Sequence, residues 1–383
     1  MMLVSAVYFV LNILDFDSAM ESINFDVIVF IMSFLIMTRA VEKSGFFEYE
    51  FRRLLSKFTT PRTQFIFLGL FLGFIAATLT NDVAAMIGIS IIMSIAKKCK
   101  YREILVVFLA FIVTIGSTFS PVGNPQNMLI AVGHISNPFA EFLLYAFIPA
   151  LISLVLISLV FAKFCDVNFH FEKDNYVRSR DKKDVLTVLI FMVVLLLMFL
   201  NDIVRFLGNY TIFGHIAILP LLGAVLILII RNDRDKILSD TNWGLVLFFI
   251  FMFIAVEGIL RSQLITIILT TIVSLFGVNL SIIVLPVLFS QIISNVPTVQ
   301  MILSFLSSIN IKLTDEQLIT LAFASTVAGN ILPFSAASNI IIIEESRRRG
   351  IKFRIHHFIF WGLIFFIMEL ILYLTFLAVI HAL

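Results

Sequence analysis

Long apolar stretches recur from one end of the chain to the other, separated by short polar runs and by a few polar clusters placed where apolar sequence would otherwise continue. Runs near 3–14, 24–42, 103–133, 139–164, 185–204, 211–230, 242–260, 316–345 and 357–380 read as membrane crossings, since about 20 apolar residues suffice for a hydrocarbon core of roughly 30 Å. Two further stretches, 64–97 and 280–309, read as hairpins that enter and leave by one face. The pattern predicts an all-α polytopic membrane protein with two re-entrant hairpins (64–97 and 280–309) and two broken helices (103–133 and 316–345).

Composition agrees. Of 383 residues, 60% are hydrophobic and 14% charged, with a mean hydropathy of +1.07, against about a quarter charged in a soluble domain. The longest polar stretch runs only from Lys163 to Asp184, so any chemistry belongs inside the membrane or at its faces. The apolar run Met1–Leu14 has no basic residue before it and no small-residue cleavage site, and is expected to stay as a first helix. Cys99 and Cys165 fall in charged loops without metal-site spacing and read as free thiols.

Charge position sets the orientation. With the N-terminus in the cytoplasm, the segments 39–62, 97–102, 163–183, 231–236 and 347–354 all lie inside, and they hold all but Arg205, Arg261 and Lys312 of the 27 Lys and Arg. This works only if both hairpins return to the face they left. The expected location is a plasma membrane, multi-pass.

The chain also repeats itself. Asn24–Ser44 matches Asn242–Ser262, Thr80-Asn81 pairs with Ser294-Asn295, and Pro121 and Asn127 pair with Pro333 and Asn339, in order and at nearly one spacing. The orientation above makes the two halves inverted, a signature of secondary transporters, so the expected fold is an inverted-repeat secondary transporter. The expected division is 1–164 as a first repeat, 165–184 as a cytoplasmic loop and 185–383 as a second repeat, with 45–60 and 263–277 along the interface. The helix 185–204 has no partner in the first half.

Four polar breaks follow the same symmetry. Thr80-Asn81-Asp82 and Ser294-Asn295-Val296-Pro297-Thr298 stand at the hairpin tips. Pro121-Val122-Gly123-Asn124-Pro125-Gln126-Asn127 and Pro333-Phe334-Ser335-Ala336-Ala337-Ser338-Asn339 interrupt the broken helices, the latter preceded by Gly329-Asn330. Non-helical backbone at membrane depth is tolerated only when packed in protein or lining a wet cavity. A half-helix that begins there offers N–H groups to an anion, and released carbonyls suit Na⁺. The candidate substrate and ion residues are therefore Thr80, Asn81, Asp82, Gly123, Asn124, Asn127, Ser294, Asn295, Thr298, Gly329, Asn330, Ser335, Ser338 and Asn339, with a Na⁺ site at Asn81, Asp82, Asn124 and Asn127. The alternative for these residues is kinking and capping; Asp82 fits either a cap or a cation or proton site.

Other classes fit less well. Asp82 has no acidic or histidine partner in another break, so an intramembrane hydrolase, and an enzyme generally, is not expected. No Gly-x-x-x-x-Gly-Lys loop is present. Closed hairpin pairs in inverted repeats argue against a channel. Glu257 and His134, His215, His356, His357 and His381 fall near helix ends and read as interfacial. Neither an organic cofactor nor a nucleic acid is expected.

At Thr80-Asn81-Asp82-Val83, Gly123-Asn124-Pro125-Gln126-Asn127, Ser294-Asn295-Val296-Pro297 and Ala328-Gly329-Asn330 through Ala337-Ser338-Asn339 the chain resembles the ion transporter superfamily, and within it the arsenite/anion permease branch. The superfamily includes citrate carriers, one type of Na⁺/H⁺ antiporter and the divalent-anion:sodium symporters. Those symporters carry Ser-Asn-Thr tips and Thr-Pro-Pro-Asn breaks; here Asp82 and Val296 take the third tip positions. The resemblance implies a scaffold, a moving transport domain, an elevator-like motion and a homodimer. The leading expectation is a carrier of a small inorganic or carboxylate anion coupled to Na⁺ or H⁺, the alternative an arsenite efflux permease or Na⁺/H⁺ antiporter.

Overall fold

A computed structural model describes residues 1–96, 102–164, 181–208 and 213–382. Cys99, Cys165 and most of the 165–184 loop lie outside the described residues.

The first half opens with two short helices, α1 (Met2–Val10) and α2 (Phe16–Glu21), the latter started by Asp15, whose carboxylate accepts from Ser18 N. Helix α3 (Phe25–Lys43) begins at Asn24, which caps Val27 N, and α4 (Phe46–Leu55) is amphipathic, burying Phe47, Phe51 and Leu55. Pro61, with Thr60 as cap, starts α5 (Pro61–Leu79); a single residue, Thr80, separates it from α6 (Asn81–Ala96). Next come α7 (Arg102–Gly116), an irregular stretch over 117–124, and α8 (Pro125–Gly133), where Asn124 caps and Pro125 takes the first turn, the position where a missing N–H costs nothing. Helix α9 (Pro138–Ala162) closes the half.

The second half repeats the order after one extra helix, α10 (Lys182–Gly208). It continues with α11 (Ile218–Ile230), α12 (Arg234–Asp240) and α13 (Trp243–Leu260). Helix α14 (Gln263–Ile293) bends at Gly277 (φ 70°, ψ 169°), and Ser294 alone separates it from α15 (Asn295–Ser308). A capping box at Thr314 and Gln317 starts α16 (Asp315–Ala328); an irregular stretch over 329–336 leads to α17 (Ala337–Arg348), and α18 (Ile355–Ala382) ends the chain.

Both hairpins and both broken helices thus lie where the sequence pattern put them. Six of the described helices are long and apolar enough to span a membrane. Three elements differ from expectation. Of the run 211–230, the described residues form only the 13-residue α11, about 20 Å long and short of a crossing. The run 3–14 folds as the nine-residue α1, about 14 Å long, roughly half a crossing, because Asn12 turns the chain with φ 52°; the orientation therefore stands on the basic loops alone. The 263–277 segment is continuous with the first hairpin limb through the Gly277 bend.

The helices pack in two sets. In one, α3 packs on α10, α11, α12 and α13, and α1 lies on α13 with Ser5 Oγ donating to the Phe251 carbonyl (3.1 Å). In the other, α5 packs on α6, α7 and α9, α14 on α15 and α16, and α18 on α9 and α16. Phe111, Phe161, Phe358, Trp361 and Phe365 stack into one aromatic cluster joining α7, α9 and α18. The sets meet where α3 touches α6 and α8, α13 touches α15, and α10 touches α9.

Candidate functional site

Each hairpin turns on one residue in a backbone conformation that side chains rarely adopt. Thr80 has φ 83°, ψ 151° and Ser294 has φ 73°, ψ 164°. Extended geometry at positive φ is essentially glycine's, and for other residues it costs about 1–3 kcal/mol. The same strain at both tips is held in place by matching contacts. Asn81 N donates to the Gly123 carbonyl (2.8 Å), and Ser294 Oγ donates to the Ser335 carbonyl (3.1 Å), so each tip is fastened to the break in its own half.

The breaks are closed alike. Asn127 Nδ2 donates to the carbonyls of Ser117 (3.0 Å) and Ser120 (2.9 Å), and Asn339 Nδ2 donates to the Gly329 carbonyl (2.9 Å). Carbonyls that unwinding would strand in the membrane are satisfied this way. Gly123 is required by close approach: a Cβ there would stand 2.3 Å from the Ser117 carbonyl oxygen.

Within the site, two links cross between the halves. Asn81 Nδ2 reaches Ser338 Oγ (3.4 Å), tying the first tip to the second break. Asn124 Nδ2 and Gln126 Nε2 both donate to Thr326 Oγ1 (3.1 Å each), tying the first break to α16. Ser335 Oγ donates to Gln291 Oε1 (2.6 Å), and Gln291 Nε2 donates to the Ala328 carbonyl (2.9 Å). Asn295 lies against Gly329, where an added Cβ would be 2.9 Å from Asn295 Nδ2. Thus one network holds Asn81, Gly123, Asn124, Asn127, Ser294, Ser335, Ser338, Asn339 and Gly329.

Thr298 hangs on its edge and Asn330 stands apart from it. Thr298 donates its hydroxyl back to the carbonyl of Ser294, the residue before its helix (2.8 Å), and Asn330 faces α18 instead. Asn124 has its Oδ1 accepting from Asn127 N (2.9 Å), so it acts as the cap of α8. Asp82 is half-buried in the first turn of α6.

Buried side-chain oxygens without a protein partner gather at these places: Thr80 Oγ1 and the Oδ1 atoms of Asn81, Asp82, Asn127, Asn295 and Asn339. Oxygens of this kind are ligands for a hard cation. No Lys or Arg occurs in the breaks, so an anion would be held by hydroxyls, amide N–H groups and the N-termini of α8 and α17. Among the described residues no cluster of three or more His, Cys, Asp or Glu could hold a metal ion. A cleft of about 110 Å³ beyond the end of α8, lined by Asp26, Asn201, Asp202, Arg205 and His215 among others, lies between the two helix sets.

Sequence reasoning missed Thr326, Gln126, Gln291 and Glu369. Gln291 stands three residues before a tip and Thr326 four before Asn330, so proximity to the breaks was a usable signal. Glu369, buried in α18, had one too: it is the lone acidic residue in a long apolar run.

A family model described as citrate transporter matches residues 1–317. The chain is 27% identical over 352 residues to the inner membrane protein YbiR of Escherichia coli (strain K12), covering 88% of this chain and 83% of that one. It is 27% identical over 365 residues to an uncharacterized transporter of Methanocaldococcus jannaschii, covering 94% and 91%. A shorter match, 30% over 134 residues, is to the silicon efflux transporter LSI3 of Oryza sativa subsp. japonica, covering 32% and 27%.

Proposed function

Because the chain belongs to the citrate transporter family, an integral membrane transporter, we propose that it moves a small inorganic or carboxylate anion by secondary active transport coupled to Na⁺ or H⁺. The observation that carries this reading is the set of unpartnered buried oxygens on Thr80, Asn81, Asp82, Asn127, Asn295 and Asn339, at the tips and breaks of two matching halves. In this reading Na⁺ sits on Asn81, Asp82 and Asn127, with Asn124 fixing the position of Asn127. The anion takes the N-termini of α8 and α17, with Ser335, Ser338 and Asn295 beside it.

The halves form an inverted repeat, 1–164 and 185–383, and the cycle is elevator-like. The set containing the tips and breaks moves against the set around α3, α10, α11 and α13, and two copies pair through the latter. The basic loops 39–62, 231–236 and 347–354 face the cytoplasm in this arrangement. The division of the helices into two packed sets supports it.

The test is electrogenic current from reconstituted protein on a supported membrane. Dicarboxylates, citrate, sulfate, phosphate and arsenite are each jumped with and without a Na⁺ gradient. A cation-dependent current with one anion is the expected result; silence with every anion sinks the proposal. A second reading, efflux or Na⁺/H⁺ antiport, is favoured by the half-buried carboxylate of Asp82 and by the local likeness to the silicon efflux transporter. It predicts current on Na⁺ or pH jumps alone, with Asp82→Asn abolishing the pH dependence.

A further inference from the structure

Glu369 lies midway along α18 and is fully buried, on the stripe that also carries Phe358, Gly362, Phe365, Tyr373 and Leu377. Neither of its carboxyl oxygens has a hydrogen-bond partner. The group it faces, near enough to interact with it, is the Asn330 side chain in the second break, also fully buried, whose Oδ1 and Nδ2 find no partner elsewhere. Gly362, two turns earlier on the same stripe, lets the break approach this closely: a Cβ there would stand 2.0 Å from the Asn330 carbonyl oxygen.

Charged groups on the elements packed against α18 all sit at helix ends. Tyr373, one turn on, shares a hydrogen bond with Thr320 (3.0 Å). His381 meets Glu316 (2.8 Å) at one end of α18, while His357 and Arg354 meet Glu103 (3.2 and 3.5 Å) at the other. On the neighbours, Arg102 starts α7, Glu141 and Tyr145 start α9 with Lys163 just beyond its end, and Asp315 starts α16. No cation among the described residues bonds Glu369.

An ionised carboxylate in such a place is costly, and it can only accept hydrogen bonds. Against a carboxamide it would satisfy Nδ2 and leave Oδ1 stranded. A neutral carboxylic acid has one O–H to give and one C=O to receive, which complements both free atoms of Asn330. A bound cation would want oxygens alone and would be repelled by the Nδ2 donors. We propose that Glu369 and Asn330 form an acid–amide pair that binds one transported proton. When the second break rearranges in the cycle the pair parts, the carboxyl O–H bond breaks, the proton passes to water at the open face, and the carboxylate takes up another from the opposite face. The inference rests on the proposed function in one respect, that the second break moves during transport.

The test has two arms on the full-length protein. Infrared difference spectra of parent minus Glu369→Gln at neutral pH should show the band of a protonated carboxyl, shifted in D₂O; no such band overturns the proposal. In proteoliposomes with labelled citrate as probe, uptake driven by a pH gradient should fall about tenfold or more in E369Q, with citrate counterflow kept within about twofold. Equal loss in both modes signifies a structural role and also overturns it. If E369Q does not fold, Glu369→Met, of similar volume and without the polar burden, carries the same comparisons. Should the parent move no citrate in either mode, the substrate reading fails while the infrared arm still decides the proton site.

Discussion

Asn127 and Asn339 perform one task in two halves: each reaches back across a break to hold a carbonyl ten residues away, and each keeps its Oδ1 free of the protein. Losing the donor leaves a buried carbonyl unsatisfied, at about 1–3 kcal/mol. Asn127 serves two carbonyls and Asn339 one, so Asn127→Ala is expected to lower stability more than Asn339→Ala, read as thermal unfolding in detergent, and both to cut transport. These residues were legible in the sequence because they recur at matched positions beside Pro121 and Pro333. Glu369 stood out only as a lone acid in an apolar run; its pairing was not legible, because Asn330 is on another element and the periodicity of an all-apolar helix does not say which face looks inward. Thr326 stood near a break, but its link to Asn124 was hidden similarly, since it depends on how elements of the two halves pack.

At the scale of elements, hairpins and broken helices were readable because polar residues in hydrocarbon need a structural reason, and symmetry doubled the signal. Helix length was less readable. Hydropathy over 3–14 counts apolar residues but does not register the turn at Asn12, and over 263–293 it does not decide whether Gly277 ends a helix or bends it. At the base of α10 and α11, Arg231 is buried and bonds Asp184 and both oxygens of Asp233 (2.7 and 2.8 Å). These bonds hold the Asp233 carboxyl below its usual range. A carboxyl whose folded-state value is depressed contributes stability above its unfolded value and loses it only as pH falls through the folded one. Unfolding temperature is therefore expected to be insensitive to this cluster at neutral pH, with its contribution lost in acid, below about pH 4. Arg231→Met removes the counter-charge and should cost roughly 2 kcal/mol at neutral pH, checked by the same melting measurement.

The whole molecule is two sets of helices joined at few places, and one joint is specific. Asp202 of α10 accepts from Phe139 N at the start of α9 (2.6 Å), and Arg205 donates to the Ser136 carbonyl (3.0 Å). If the sets slide past one another, these bonds must part. Phe139→Cys with Asp202→Cys, in a chain whose Cys99 and Cys165 are serine, should arrest transport when bridged by a short methanethiosulfonate reagent and recover on reduction. Arrest without recovery, or no arrest, would count against sliding at this joint. The single-residue tips bear on the same motion. A turn made by Thr80 or Ser294 alone has no slack, so the two limbs of a hairpin behave as one stiff lever, and displacement at its wide end arrives undiminished at the tip. With no flexible loop to absorb it, a hairpin has little freedom to gape by itself like a hinged flap, and work done on any part of that helix set is felt at the polar centre.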